Sequence, residues 1–205
     1  MKITLIGDSI RQQYTPRVGE LLGDDFEIWT PAENCRFSKF TLRGLFEWVP
    51  HMKGSGIVHW NNGLWDTCDL FGDGVFTPES EYIDNMLRIA DILQKNYNTV
   101  IFATTTPVRR ENVYNKNEHI DRYNGIIVPL LEKRGVIIND LGGAVSRDIY
   151  RYIREDNVHL TEEGIELCAN QTAKIIVDVA TNIHSDTESE NKTIATDTTG
   201  APVLI

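Results

Sequence analysis

The sequence predicts an α/β fold: a three-layer α/β/α sandwich around a five-stranded parallel sheet of flavodoxin-like order 2-1-3-4-5. Three observations predict it. Five short apolar runs are each rich in β-branched or aromatic residues and bounded by Gly, Asn, Asp or Pro. Their apolar character is continuous rather than alternating, as in strands buried on both faces. Between them lie segments with apolar residues at i, i+3 and i+4, and strands alternating with helices imply right-handed crossovers.

Taken in order, Ile3–Ile6 is the first run. A helix over Ile10–Leu22 follows, carrying Tyr14, Val18, Leu21 and Leu22 and stopping at Gly23. Phe26–Trp29 is the second run, Gly44 falls in a helix, and Ile57–Trp60 is the third run. Pro78-Glu79-Ser80 opens a helix whose apolar positions are Tyr82, Ile83, Met86, Leu87, Ala90 and Leu93. Val100–Ala103 is the fourth run. Tyr123–Leu131 reads as a helix closed by Lys133, Arg134 and Gly135, and Val136–Ile138 is the fifth run. Thr161-Glu162-Glu163 opens the last helix, with Thr161 as cap and two glutamates at the positive helix end. Its stripe runs from Ile165 to Val179.

Residues 1–184 therefore read as one domain, without internal repeats. From Ser185 to Gly200 the chain is Ser, Thr, Asp, Glu and Asn with almost no apolar residue. Residues 185–205 are expected to be a solvated, flexible tail with a frayed end.

The chain has 205 residues, and 20 Lys and Arg against 30 Asp and Glu give a net charge of −10. That balance argues against nucleic-acid and anionic-membrane surfaces and points to a neutral or small substrate. No apolar run is long enough to span a bilayer. Cys35, Cys68 and Cys168 are odd in number and far apart, which suits free thiols in a reducing compartment. The N-terminal apolar run breaks at Gly7-Asp8, too early for a secretory signal, so the expected location is cytoplasmic.

In an open parallel sheet, ligands bind beyond the carboxyl ends of the strands at the switch point. The first run is followed by Gly7-Asp8-Ser9-Ile10 and the third by Asn61-Asn62-Gly63-Leu64-Trp65-Asp66. Strand order 2-1-3-4-5 makes these two ends neighbours. Before the last helix stands Asp156-Asn157-Val158-His159. An Asp three residues before a His, in a turn, can reach the imidazole Nδ1–H and leave Nε2 free to take a proton. A serine hydroxyl needs such a base to become a nucleophile at neutral pH. Ser9, Asp156 and His159 together would complete a triad.

Gly7-Asp8-Ser9-Ile10 paired with Asp156-x-x-His159 resembles the SGNH (GDSL-type) hydrolases, over about residues 2–180. The resemblance implies a flavodoxin-like fold and serine-dependent ester hydrolysis without metal or organic cofactor. It implies Ser9 as nucleophile, His159 as general base and Asp156 as the residue that orients it. The family's oxyanion hole also uses a Gly and an Asn. The usual Gly-x-Asn-Asp block appears here as Gly63-Leu64-Trp65-Asp66, with Trp in the Asn slot. A similar subgroup carries Asn-x-Gly-Leu-(His/Trp)-Asp, which makes Asn61 the matching amide and Asn62 the fallback. The second-block Gly has no clear counterpart. Asn34-Cys35-Arg36-Phe37-Ser38 occupies its region, with a backbone N–H of Cys35 or Arg36 as donor and Gly44 less suited. Independently of the resemblance, the Ser9 N–H at a helix start is a natural oxyanion donor.

Trp60 and Trp65 flank the third strand's turn, either as core or as a sugar-stacking platform. Arg11 and Arg36 could contact substrate oxygens near Ser9, with a surface salt bridge the expected role of each. Arg109-Arg110 is expected in a solvated loop, and the remaining histidines show no ligand spacing. Gly-x-Ser-x-Gly, phosphate-loop and His-Glu-x-x-His motifs are absent. The expected activity is hydrolysis of a small acyl ester, acetyl above all, on a small molecule or a carbohydrate. The rival from another class is a non-catalytic module of the same scaffold that binds a glycan or a protein partner.

Overall fold

The computed structural model describes residues 1–97 and 99–197, and for 184–197 the backbone alone. Five strands form one parallel sheet: β1 (Lys2–Ile6), β2 (Glu27–Trp29), β3 (Ser55–Trp60), β4 (Thr99–Ala103) and β5 (Ile137–Asn139). Their order is β2-β1-β3-β4-β5, as the sequence predicts, and each strand lies within two residues of its expected bounds. The register pairs Ile3 with Ile57 and Ile6 with Trp60, so β1 and β3 end level.

The continuous apolar runs serve two cores. Ile3, Leu5, Ile57 and Ile101 face one side, against Tyr14, Val18, Cys168 and Ile176 of α1 (Ser9–Leu22) and α7 (Glu162–Asp197). Ile6, Val58, Trp60 and Phe102 face the other, against α2 (Ser38–Trp48), α3 (Glu79–Asn96) and α4 (Asn117–Glu132), which supply Leu45, Met86, Ile89 and Ile127. A strand flanked by two cores cannot alternate polar with apolar residues.

The differences from expectation lie outside the strongly periodic segments. α4 begins at Asn117, six residues before Tyr123, because its polar first turn is organised by the Asn117 side chain on Val108 rather than by an apolar stripe. Two short helices, α5 (Leu141–Ser146) and α6 (Ile149–Tyr152), are too brief to show periodicity. Asp140 and Asp148 cap them. Thr161 does cap α7, accepting the Gly164 N–H at 3.1 Å. α7 runs without a break past residue 184. The tail expected over 185–205 falls on positions whose side chains, and from 198 onward whose backbone, lie outside the described residues. No helix among the described residues is long and apolar enough to cross a membrane.

Candidate active site

The switch point lies between β1 and β3, and both walls of the site grow from it. Asp8 ends the turn after β1 and caps α1, its carboxylate accepting the Ile10 N–H at 3.0 Å. Because the cap is Asp8, the Ser9 hydroxyl is not spent on the helix. It meets His159 Nε2 at 3.0 Å. Asp8 is fully buried, and burial pushes its pKa up against the opposing hydrogen bonds from Asn61 and Ile10 and the nearby Arg11 charge.

His159 reaches Ser9 because the chain before α7 doubles back tightly. Ile153 and Leu160 form an antiparallel bridge, and the Arg154 N–H donates to the His159 carbonyl at 2.7 Å. Asn157 takes a left-handed φ of 71° at the tip, a conformation Asn tolerates better than most residues. α1 grips the far side: Gln13, one turn after Ser9, accepts the Leu160 N–H at 3.0 Å. Asp156 Oδ2 faces His159 Nδ1 at 2.9 Å, while Oδ1 accepts the N–H groups of Val158 and His159 at 3.0 and 2.9 Å. Desolvation raises the Asp156 pKa, but these two amides and the imidazole outweigh it and hold the carboxyl below its usual value. The carboxylate therefore stays ionised at neutral pH, fixing the imidazole with its Nδ1–H toward Asp156.

The oxyanion side is less simple than the sequence expects. Asn61 is buried, and its Nδ2 donates to Asp8 Oδ1 at 3.0 Å, which leaves one N–H of the amide. Asn62 has none to spare: Nδ2 donates to the Arg36 carbonyl and Thr41 Oγ1, and Oδ1 accepts from Trp60 Nε1. The backbone donors expected from Cys35 and Arg36 are also engaged. Cys35 N–H donates to the Gly7 carbonyl at 3.1 Å and Arg36 N–H to Asn34 Oδ1 at 2.8 Å. Arg36 has a φ of 50°, a left-handed backbone that glycine adopts at lower cost. Thus a position with the conformational demand of a glycine is filled by Arg36, stabilised by the Asn34 turn and by its guanidinium 4.9 Å from the Phe40 ring centroid.

The other candidates separate clearly. Trp60 is core, with no exposed surface, whereas Trp65 is 39% exposed beside Ser9. Arg11 is buried rather than paired on the surface. Arg109 stacks on Tyr150, and its N–H holds the Asn157 carbonyl at 3.0 Å, so it braces the His159 turn. Gly44 lies inside α2. His59 is buried with Nε2 3.0 Å from Asn139 Nδ2, and burial lowers its pKa to about 3. The three cysteines are free and buried. No cluster of three or more His, Cys, Asp or Glu side chains able to hold a metal occurs among the described residues.

Asp66, from the third block, is structural. Its carboxylate accepts the Ser38 N–H at 3.0 Å and the Ser38 hydroxyl at 2.6 Å, tying the turn after β3 to the start of α2. Burial raises its pKa from 3.8 to about 6 despite those bonds. The folded state then holds more protons than the unfolded state between these values. This contribution to stability is full below 3.8 and is lost as the pH rises through about 6. Asp66→Asn should remove on the order of 2–3 kcal/mol of that pH dependence. Denaturant unfolding of both proteins from pH 4 to 7 measures it, and parallel stability curves would contradict the assignment.

A cavity of about 210 Å³ opens over Ser9 and His159, walled by Leu64, Trp65, Leu70, Tyr114 and Val158. Phe71 and Val113, the chain neighbours of Leu70 and Tyr114, are exposed. Two loops carry them, joined by Asp69 N–H to the Tyr114 carbonyl at 2.7 Å and by Asn115 Nδ2 to the Leu64 carbonyl at 2.7 Å. None of these wall residues except Trp65 stands out in the sequence, because irregular loops leave no periodic signal.

A three-layer sandwich with Ser, His and Asp converging at the switch point can be compared with known proteins. No family model matches the chain. A rice (Oryza sativa subsp. japonica) protein, GDSL esterase/lipase WDL1, is 28% identical over 120 residues, covering 51% of this chain and 46% of that protein. The chain thus matches about half the length of this curated relative. Among solved structures, the acetyl xylan esterase AlAXEase superposes with a TM-score of 0.71 over 86% of this chain and 100% of its own, at 19% identity. The chain has the fold of the SGNH (GDSL-type) hydrolases. The lipase/acylhydrolase of Enterococcus faecalis shares this SGNH fold with a TM-score of 0.71, 16% identity and coverage of 85% and 94%. An acetylxylan esterase from Geobacillus stearothermophilus shares it at 0.70, 17% identity and coverage of 84% and 92%.

Proposed function

We propose that this SGNH-fold chain is a serine esterase that hydrolyses small acyl esters. The observation that carries the reading is the unbroken chain Ser9 Oγ–His159 Nε2–Asp156, with links of 3.0 and 2.9 Å. Ser9 Oγ attacks the ester carbonyl carbon while His159 Nε2 takes the hydroxyl proton. The carbonyl oxygen becomes an oxyanion, met by the Ser9 N–H in the first turn of α1 and the remaining N–H of Asn61. The Arg36 N–H joins them only by exchanging Asn34 for the oxyanion. When the carbon–oxygen bond to the alcohol breaks, His159 gives its proton to the leaving oxygen. Water then attacks the acyl group on Ser9, with His159 as base, releasing the acid and restoring the hydroxyl. Asp156 holds the imidazole throughout and stabilises its protonated form.

The cavity supports a small acyl group. About 210 Å³ is below the ~300–1,000 Å³ common for drug-sized ligands. An acetyl ester is therefore favoured. A carbohydrate as the alcohol part of the ester is supported by exposed Trp65 beside Ser9 and by the acetyl xylan esterases that share the fold. Three buried free thiols suit a reducing, cytoplasmic setting. A panel of matched p-nitrophenyl esters tests the substrate class. The kcat/KM for acetyl should exceed that for octanoyl by about 10-fold or more, roughly the discrimination a pocket achieves on size. Preference for the long chain would overturn the small-acyl assignment. The engaged amides of Cys35 and Arg36 favour one rival, a binding module without turnover. Absence of any ester hydrolysis with retained glycan binding would establish it.

A further inference from the structure

Arg11 lies two residues after Ser9, yet it is only 2% exposed. Burying a guanidinium is costly unless its donors are satisfied. Here the hydrogen-bond partners are all neutral, the buried Nε has none, and the nearby charge is the Asp8 carboxyl. Nη1 donates to Thr30 Oγ1 at 2.5 Å, and Nη2 donates to the carbonyls of Gly7 and Glu33 at 3.1 and 3.2 Å, with Cys35 Sγ at 3.8 Å. One planar group thus ties the end of β1 to three points of the Thr30–Cys35 segment, which has no helix or strand of its own.

We propose that Arg11 is the positioning residue for the oxyanion side of the site. Its guanidinium locks the Thr30–Arg36 loop onto the Gly7–Ser9 turn, so that the donors around Ser9 are set before substrate arrives. The inference rests on the esterase reading above. Three observations carry it. The Gly7 carbonyl receives both Arg11 Nη2 and the Cys35 N–H, so turn and loop share one anchor. A second clamp holds the same loop from the turn after β3, where Asn62 Nδ2 donates to the Arg36 carbonyl, and from α2, where Thr41 Oγ1 donates to the Cys35 carbonyl. Between the clamps Arg36 is kept in its left-handed conformation, which only a well-determined surrounding maintains. Lysine cannot replace the fork, because an ammonium on a flexible stem does not fix three acceptors in one plane. Preorganised donors act on the transition state rather than on the bound ester, so the effect belongs in kcat.

The test is Arg11→Lys, which keeps the charge and removes the fork. Turnover of an acetyl ester should fall about 10–100-fold in kcat with KM nearly unchanged. Methylboronic acid, which forms a tetrahedral adduct on an activated serine, should lose affinity by the same factor. The number of serines labelled by a fluorophosphonate per chain should match the wild type. Wild-type boronate affinity per labelled serine, with any lost turnover explained by fewer labelled serines, would reduce Arg11 to a structural role and overturn the proposal. Where Arg11→Lys fails to fold, Thr30→Val removes one acceptor and should show the same paired loss at smaller amplitude. Unchanged boronate affinity in that variant also overturns it. A wild-type chain that hydrolyses no ester overturns the esterase reading itself, and this inference with it.

Discussion

Ser9→Ala is expected to lower turnover of an acetyl ester by about 10⁴-fold or more while leaving thermal unfolding near that of the wild type. The hydroxyl contributes a single hydrogen bond, to His159, and helix α1 is capped by Asp8 rather than by Ser9. Its loss therefore removes the nucleophile without removing a cap. His159→Ala should be comparably inactive, and the double variant scarcely worse than either, because residues acting as one unit do not add. Steady-state kinetics on the three variants, with unfolding curves in parallel, measure this. Turnover in Ser9→Ala within a few fold of wild type would remove Ser9 from the chemistry.

The second large effect is expected at Gly7. A Cβ there would stand 1.8 Å from Asn61 Oδ1 and 2.8 Å from Arg11 Cβ. Neither neighbour has room to yield, since both side chains are buried and Asn61 is tethered to Asp8. Gly7→Ala should therefore cost about 1–3 kcal/mol of stability through overpacking. It should also displace the Asn61 amide and lower kcat about 10²–10³-fold, the usual consequence of losing an oxyanion donor. Asn61→Ala separates the two terms: it should reproduce the kcat loss, and combined with Gly7→Ala it should restore part of the stability. A Gly7→Ala protein with wild-type kcat would show that Asn61 does not serve the oxyanion.

The glycine of the first motif thus has a packing reason that the sequence does not display. The motif itself was readable: Ser9 at a strand end, and Asp156 three residues before His159, both follow from local spacing. So did the five strands, whose apolar runs are continuous because both sheet faces are covered. Which of Asn61 and Asn62 keeps an amide N–H without a partner is not legible in the sequence. Both follow β3 directly, and only their partners distinguish them: Asn62 is consumed by Trp60, Thr41 and the Arg36 carbonyl. The burial of Arg11 is hidden in the sequence for a related reason. Near a helix start a charged residue is ordinarily solvated, and nothing in the local pattern reveals that Thr30 and the Gly7 and Glu33 carbonyls await it. Trp60 and Trp65 look alike in sequence, but one ends a strand inside the core and the other stands past the strand in a turn. The cavity walls at Leu70 and Tyr114 come from irregular loops far apart in the chain, where hydrogen bonds between loops replace periodicity.

The most direct measurement is to react the protein with a fluorophosphonate and map the adduct by peptide mass spectrometry, in the wild type and in His159→Ala. A single adduct on Ser9 in the wild type, with labelling strongly slowed in His159→Ala, is the expected result. An adduct on another residue, or equal labelling of Ser9 without the imidazole, would contradict the assignment of Ser9 and His159 as nucleophile and base.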